Sequence, residues 1–314
     1  MIIHNIHIEK VIATGANSKI YLGRNLDTLE SVAIKKVKLE NNGSILYENE
    51  INILTTLSPH KNFPKIHGYS IKRSKGYIVM EYLPFPTLKT FLKNKGALLE
   101  EQALIILKQI LNAVMYMIKH GVAHRDFKSE NIIINPDNLA IKIIDFGLGK
   151  VDLNSLNNTD NVSIGTPIYM APKVLVCDEK SQYKIVASDM WSVGIIYWEC
   201  IIGYHPYINI GTKKELIKIQ LEDKKFAHYS PTTQYLLESL LDINEDKRMT
   251  ASEAIEFIKH MGKWKSSSVD NIIPLEKHDK SRFISYLFTN RHSSDDVILI
   301  KNQQHNIFLN KKRK

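Results

Sequence analysis

Between residues 77 and 88 the chain reads YIVMEYLPFPTL, and Pro84 and Pro86 divide the sequence into two unlike parts. Proline brings no N–H to a sheet ladder, so a strand built on YIVMEYL cannot run on as a central strand past Leu83. Upstream, VIATGANSKIYLGR (11–24) and SVAIKKVKL (31–39) carry β-type apolar residues between turn-formers, as strands do. SILYENEINILTTL (44–57) has its apolar residues nearer to helical spacing. Downstream of residue 87 the pattern turns helical. EEQALIILKQILNAVMYMIKHG (100–121) reads as a long helix stopped at Gly121. Short strands follow at NIIIN (131–135) and AIKIIDFG (140–147), then a polar loop over 149–164, then helices from 187 to 264. A β-rich part joined by a short segment to a larger helical part is an α+β chain, long enough at 314 residues for two lobes around a cleft.

Composition narrows the setting. The longest apolar-rich run, WSVGIIYWECIIGY, is broken by Glu199 and reads as a buried core helix, so no membrane span is expected. The N-terminal MIIHNIHIEK lacks the basic-then-apolar pattern of a secretory signal. Cys177 and Cys200 are the only cysteines, which fits a reducing compartment, cytoplasmic or nuclear. The net charge of +9 is spread over scattered lysines, the pattern of a solvated surface, and no specific nucleic-acid partner is expected. The one dense cluster, NKKRK with Lys311–Lys314, is either a nuclear address or a solubilising end.

The chemistry-bearing residues fall in four blocks: VAIK ending at Lys35, Glu50 in the helical stretch, HRDFKSEN over 124–131, and DFG over 145–147. Glu50 lies 15 residues after Lys35, Asp126 lies 76 after Glu50, and Asp145 lies 19 after Asp126. Each block alone is weak. Together, in order and in matching strand, helix and loop contexts, they make the chain resemble the eukaryotic-type serine/threonine protein kinases over roughly residues 8–264. The resemblance implies a bilobal fold. An N-lobe of about 8–80, a hinge at 81–84 and a C-lobe at 85–264 would be followed by a polar, basic extension at 265–314. It implies transfer of the γ-phosphoryl of ATP to protein hydroxyls, with Mg²⁺ (or Mn²⁺) as the ion, protein substrates as partners and a monomeric state.

On that resemblance each residue takes a role. Lys35 holds the α- and β-phosphates and Glu50 holds Lys35, with Glu48 as the rival acid. Asp126 accepts the proton of the substrate hydroxyl, Lys128 neutralises charge on the moving group, and Thr166 bridges Asp126 and Lys128. Asn131 and Asp145 offer hard oxygens to the metal. Ile12, Gly15, Ile20 and Ala33 lie over the nucleotide and Ile133 under it. Met80 guards the back of the slot, and Glu81 to Leu83 form the hinge. Leu54, Ile66, His124 and Phe146 form a column joining the lobes, with His124 a packed residue and not a base. Lys128 and GTPIY point to serine/threonine substrates, and Leu148 after DFG to serine over threonine. Glu130 is a candidate for recognising a basic substrate residue, although Thr87 stands where basophilic relatives carry an acid.

The chain departs from the family at three places. Of the glycine pattern G-x-G-x-x-G only Gly15 is kept, with Ala13 and Ser18 at the outer positions, so a stiffer loop and weaker ATP binding are expected. Val162 occupies the place of the usual activating hydroxyl. The switch is therefore Ser163 or absent, with Arg125 available to bind a phosphate. Lys173 replaces the family's Glu after Ala171–Pro172, which sets it against Arg248. Two like charges at ~4 Å repel by roughly 4 kcal/mol at an effective dielectric near 20. Three outcomes are open: Lys173 swings to solvent, Arg248 finds another acid such as Glu245 or Asp246, or the fold is less stable. Repartnering of Arg248 is the favoured one, and Lys173→Glu is then expected to raise thermal stability. Two other functions compete with an active kinase: a pseudokinase scaffold, favoured by these departures, and a nucleic-acid binder, favoured only by net charge.

Overall fold

The computed structural model describes residues 2–264 apart from 4, 16–17, 41–42, 152, 155–156, 179 and 223–225. The extension at 265–314, with its apolar FISYLF, lies outside the described residues, as does Ser155.

The described residues up to Glu81 form an antiparallel sheet and one helix. The strands are β1 (Ile2–Ile3), β2 (Ile6–Thr14), β3 (Ser18–Asn25) and β4 (Ser31–Lys38); helix α1 (Gly43–Leu57) follows, then β5 (Ile66–Lys72) and β6 (Lys75–Glu81). Their order in the sheet is β1-β2-β3-β4-β6-β5. The stretch read as one strand region at 11–24 is a hairpin of two strands, and the sheet begins at Ile2, ahead of the expected start of the lobe. β1 has two residues, too short for alternation to show, and β5 alternates half-buried with exposed positions, a weak signal.

The period-2 geometry of β4 separates the two faces of this sheet. Val32 and Ile34 pack with Ile6, Tyr77 and Val79 in a small core of their own. Ala33 and Lys35 point the other way. The register places Ile20 opposite Lys35 and Lys35 opposite Ile78, with Leu22 opposite Ala33 and Ala33 opposite Met80. Directly opposed residues share a face, so Ile20, Leu22, Ala33, Lys35, Ile78 and Met80 line one side of the sheet. α1 packs beneath through Ile51, Leu54 and Leu57, and Tyr47 donates its hydroxyl to the Tyr77 and Ser70 carbonyls, fixing the helix to the sheet.

The C-terminal lobe contains α2 (Leu88–Lys95), α3 (Glu100–Lys119), the hairpin β7 (Ile132–Ile134) and β8 (Ile141–Ile143), and the short pair β9 (Thr159–Asp160) and β10 (Tyr183–Lys184). Its other helices are α4 (Pro172–Leu175), α5 (Ile185–Ile202), α6 (Lys213–Leu221), α7 (Pro231–Leu240) and α8 (Ala251–Trp264). Thr87 caps α2 by accepting the Thr90 N–H, so the helix starts immediately after the two prolines. α3 ends at Lys119, and Gly121 follows with φ +66 as the helix stop. α3 and α5 are both long and apolar enough to cross a membrane by length and composition, but α5 is mostly buried within the lobe. α5 is the core helix that the sequence suggested, apolar all round because it is surrounded.

Candidate active site

Lys35 is brought by β4 and Glu50 by α1. Lys35 Nζ lies 2.5 Å from Glu50 Oε1 and 2.8 Å from Asp145 Oδ1. Glu48 is exposed, so the choice between the two acids falls on Glu50. Burial alone would lower the Lys35 pKa. The two carboxylates outweigh that and raise it above the ordinary lysine range, so the ammonium is fixed. Desolvation likewise works to raise the pKa of Asp145, and the Lys35 ammonium wins, holding it at about 2. Burial pushes Glu50 upward against the pull of Lys35.

The sheet face that carries Lys35 continues into the apolar residues expected to line a slot. Ala33 is buried, and Ile20, Met80 and Leu83 are half-buried on its upper and rear sides. Ile133 of β7 is half-buried below, tied to Thr87 by an isolated bridge. Ile12 falls within a register shift between Val11 and Ala13 and is 40% exposed. Gly15 donates its N–H to the Ser18 carbonyl (2.9 Å), closing the tip of the β2–β3 hairpin. Glu81 turns its carboxylate to Lys142 (2.8 Å) and the Lys65 N–H (3.0 Å). Its main-chain N–H is likewise taken, by the Lys65 carbonyl at 2.8 Å.

The lower wall is the loop over 124–131. Asp126 Oδ1 accepts the Thr166 hydroxyl at 2.7 Å, Asp126 Oδ2 lies 2.6 Å from Lys128 Nζ, and Lys128 Nζ donates to Thr166 Oγ1 at 2.9 Å. Asn131 donates through Nδ2 to the Asp126 carbonyl at 3.0 Å. The structure thus brings Asp126, Lys128, Asn131 and Thr166 into one cluster. Arg125 and Asp145 both have φ +65, the left-handed region that costs non-glycine residues energy. Two supports hold the loop there. Asp189 of α5 accepts the His124 N–H (2.8 Å) and the Arg125 N–H (2.9 Å) from below; burial pushes its pKa up to about 7 against those bonds. Beside it, Glu199 of α5 accepts the hydroxyls of Ser129 and Tyr169, each at 2.9 Å. Sequence reasoning gave neither carboxylate a role, and Glu199 figured only as the acid that breaks an apolar run; a buried acid in an apolar helix was the available signal.

His124 is fully buried, its ring 4.8 Å from that of Phe146, and burial lowers its pKa. That agrees with a packed residue in the column that also holds Leu54 and Phe146, both buried, and Ile66, half-buried. Two expectations change. Glu130 already has a cation beside it, Lys89 of α2 at 2.6 Å, a partly exposed pair that a basic substrate residue would have to displace. Arg248 does not take Glu245 or Asp246. Lys173 pairs with Glu245 (2.5 Å) and Lys184 with Asp246 (2.6 Å). Arg248 instead donates to the carbonyls of Asp242 (2.9 Å), Ala187 (2.7 Å) and Ile243 (3.3 Å), and its guanidinium lies 5.2 Å from the Trp191 ring centre.

A metal would meet hard oxygen donors here. Asn131 spends Nδ2 on Asp126, which leaves Oδ1, and Asp145 makes its hydrogen bonds to Lys35 and Gly147 through Oδ1, which leaves Oδ2. Two protein oxygens fit an ion that completes its shell with phosphate oxygens and water.

Two lobes closing over such a cleft are the architecture of a protein kinase domain. The sequence agrees: the protein kinase domain family matches residues 6–258, and the chain belongs to that family. Among similar proteins, the serine/threonine-protein kinase atg1 of Dictyostelium discoideum is 34% identical over 272 residues, covering 82% of this chain and 38% of that protein. CBL-interacting serine/threonine-protein kinase 12 of Arabidopsis thaliana is 33% identical over 262 residues, covering 82% of this chain and 52% of that protein. The chain therefore spans from about two fifths to half of the length of these two relatives. A probable myosin light chain kinase of Dictyostelium discoideum, 28% identical, is covered over 83% of its length.

Proposed function

We propose that the chain transfers the γ-phosphoryl group of Mg-ATP to serine, and less readily threonine, hydroxyls of protein substrates. The observation that carries this reading is the pairing of two intact constellations across one cleft: Lys35 with Glu50 and Asp145 above, Asp126 with Lys128 and Thr166 below. A loose phosphoryl-transfer transition state asks the protein for position and charge more than for covalent chemistry. Lys35, held by two carboxylates, would bind the α- and β-phosphates. Asn131 Oδ1 and Asp145 would hold Mg²⁺, which supplies charge neutralisation between the phosphates. Asp126, oriented by Thr166 and Lys128, would accept the hydrogen bond and then the proton of the substrate hydroxyl. Lys128, 21% exposed, reaches the cleft from the Asp126 side and would neutralise charge on the transferred group. Ile12, Gly15, Ile20, Ala33, Met80, Glu81, Leu83 and Ile133 would enclose the nucleotide.

The bulky Leu148 after Gly147 supports serine over threonine by its resemblance to the family's pattern. Free cysteines at Cys177 and Cys200 support a cytoplasmic or nuclear setting. The test uses peptides identical except for one serine, threonine or tyrosine, with Mg-ATP. Serine is expected to turn over fastest and tyrosine not at all. Faster threonine turnover removes the serine preference, and tyrosine turnover comparable to serine removes the substrate class.

A further inference from the structure

The loop after the Asp145–Gly147 block contains a carboxylate that the motif reading did not use. Asp160, in β9, is 7% exposed along its side chain. Its Oδ2 lies 3.1 Å from Arg125 Nη2 and 3.0 Å from Lys150 Nζ. Its Oδ1 accepts the main-chain N–H groups of Asn161 (2.8 Å) and Val162 (3.1 Å). Four donors, two of them cationic, converge on one small acid. Burial would raise its pKa, but Lys150, the Val162 N–H and Arg125 lower it on balance, so the group is ionised.

What this anchor holds is set by the chain on either side of it. Arg125 precedes Asp126 directly, with its N–H on Asp189 and its φ at +65. Six residues after Asp160 comes Thr166, whose hydroxyl is on Asp126. Between them Gly165 takes φ +118, and a Cβ there would lie 2.6 Å from the Arg125 carbonyl. β9 is itself pinned to β10, with Tyr183 opposite Asp160 and the Tyr183 hydroxyl on the Val162 carbonyl (3.0 Å). The segment Asp160–Thr166 is thus tied at both ends to the dipeptide Arg125–Asp126. Arg125, expected to await a phosphate, already has its anion. Ser163, the hydroxyl expected to carry that phosphate, is exposed and reaches only Met170 Sδ at 4.0 Å.

We propose that Asp160 is a built-in positioning residue that keeps the loop over 159–166 docked on Arg125 and Lys150. On this proposal the chain is fully active with no phosphate on that loop. The inference rests on the kinase reading of the same cleft. Asp160 touches no substrate; it acts through Arg125 and Thr166 on Asp126.

The experiment uses the full 314-residue chain, stripped of phosphate by a phosphatase that is then removed, with the phosphate-free state verified by intact mass. Initial rates are read on a serine peptide. The stripped chain and its Ser163→Ala form are expected to keep kcat within about twofold of the untreated protein. Asp160→Asn is expected to lose about 10- to 100-fold in kcat while the KM for ATP moves less than about threefold, the pattern of a misplaced catalytic group and not of a damaged nucleotide slot. Asp160→Glu should restore most of the loss, which a merely structural substitution would not do. Should Asp160→Asn fold poorly, Lys150→Gln removes one of the two cations and is expected to show the same kcat-only loss to a smaller degree. A stripped chain that is silent and regains activity on loop phosphorylation overturns the proposal and leaves the kinase reading standing. Unchanged kcat in Asp160→Asn also overturns it. Silence in every form, phosphorylated or not, overturns both.

Discussion

At position 173 the sequence sets a lysine where the family carries glutamate, and the structure shows how its charge is absorbed. Lys173 gives its ammonium to Glu245, whose carboxylate also accepts the Lys184 N–H, while Arg248 withdraws to three carbonyls and the Trp191 ring. Burial lowers the Arg248 pKa to about 10, still a charged group near neutrality. Restoring the family's residue is therefore not a repair. Lys173→Glu would set a carboxylate against Glu245, which is 9% exposed. It is expected to cost about 1 kcal/mol, or roughly 2–4 °C in melting temperature for a domain of this size. The double exchange Lys173→Glu with Glu245→Lys should recover most of it. Differential scanning fluorimetry of the three proteins checks this; a single variant more stable than the parent would mean that Lys173 and Arg248 repel. The mismatch itself was legible in the sequence. The identity of the new partner was not, because it depended on which of three neighbouring groups (Glu245, Asp246 or main-chain carbonyls) the segment between α7 and α8 left within reach of the guanidinium where it meets the first turn of α5. Lys89 on Glu130 escaped notice for the same reason, since 41 residues separate partners that meet only in the fold.

The elements that build the cleft were legible in proportion to their length and periodicity. α3 and α5, with 20 and 18 residues, carry long apolar patterns and stand where the sequence put them. The two-residue strand β9 lies in the polar stretch 149–164 read as loop, and its partner β10, also of two residues, was not foreseen, since no pattern can show over two residues. The β2–β3 hairpin is the element whose sequence departs most from the family. Ala13 and Ser18 both lie within paired strands, opposite Ile20 and Val37, and neither has positive φ. Glycine is thus not demanded by backbone conformation at either place, and what remains is steric: a methyl and a hydroxymethyl on the strands that approach the phosphates. Ala13→Gly with Ser18→Gly is expected to loosen the hairpin, lowering stability by about 1 kcal/mol. It should also lower the KM for ATP by about threefold as the main chain draws nearer the phosphates. Steady-state kinetics at saturating peptide read this; an unchanged KM would show that the side chains at 13 and 18 do not hold the backbone off.

At the scale of the whole molecule, the two prolines after Leu83 mark where a sheet ends and a helical lobe begins, and the chemistry is divided across that boundary. The upper lobe supplies a fixed ammonium, Lys35. The lower supplies a loop held in left-handed backbone by Asp189 and flanked by Asp160, Glu199 and Thr166. The order of the blocks made the cleft foreseeable, because a strand presented Lys35, a helix Glu50, the loop Asp126, Lys128 and Asn131, and the turn after β8 Asp145. The carboxylates that hold the loop were not foreseeable from those blocks. They act by being buried beside it; acids within the apolar run of α5 were visible in the sequence, but which loop they lie against is set by packing. The central claim is that this cleft performs phosphoryl transfer with Asp126 as the group that takes the hydroxyl proton. It is tested most directly by Mg-ATP-dependent phosphate transfer from the full chain to a serine peptide, set beside Asp126→Asn, with ATP binding measured on both. The account predicts transfer by the parent, a loss of about 10²- to 10⁴-fold in kcat in Asp126→Asn, and ATP binding unchanged between them. ATP bound by both with no transfer by either, the behaviour of a nucleotide-binding scaffold, would contradict it.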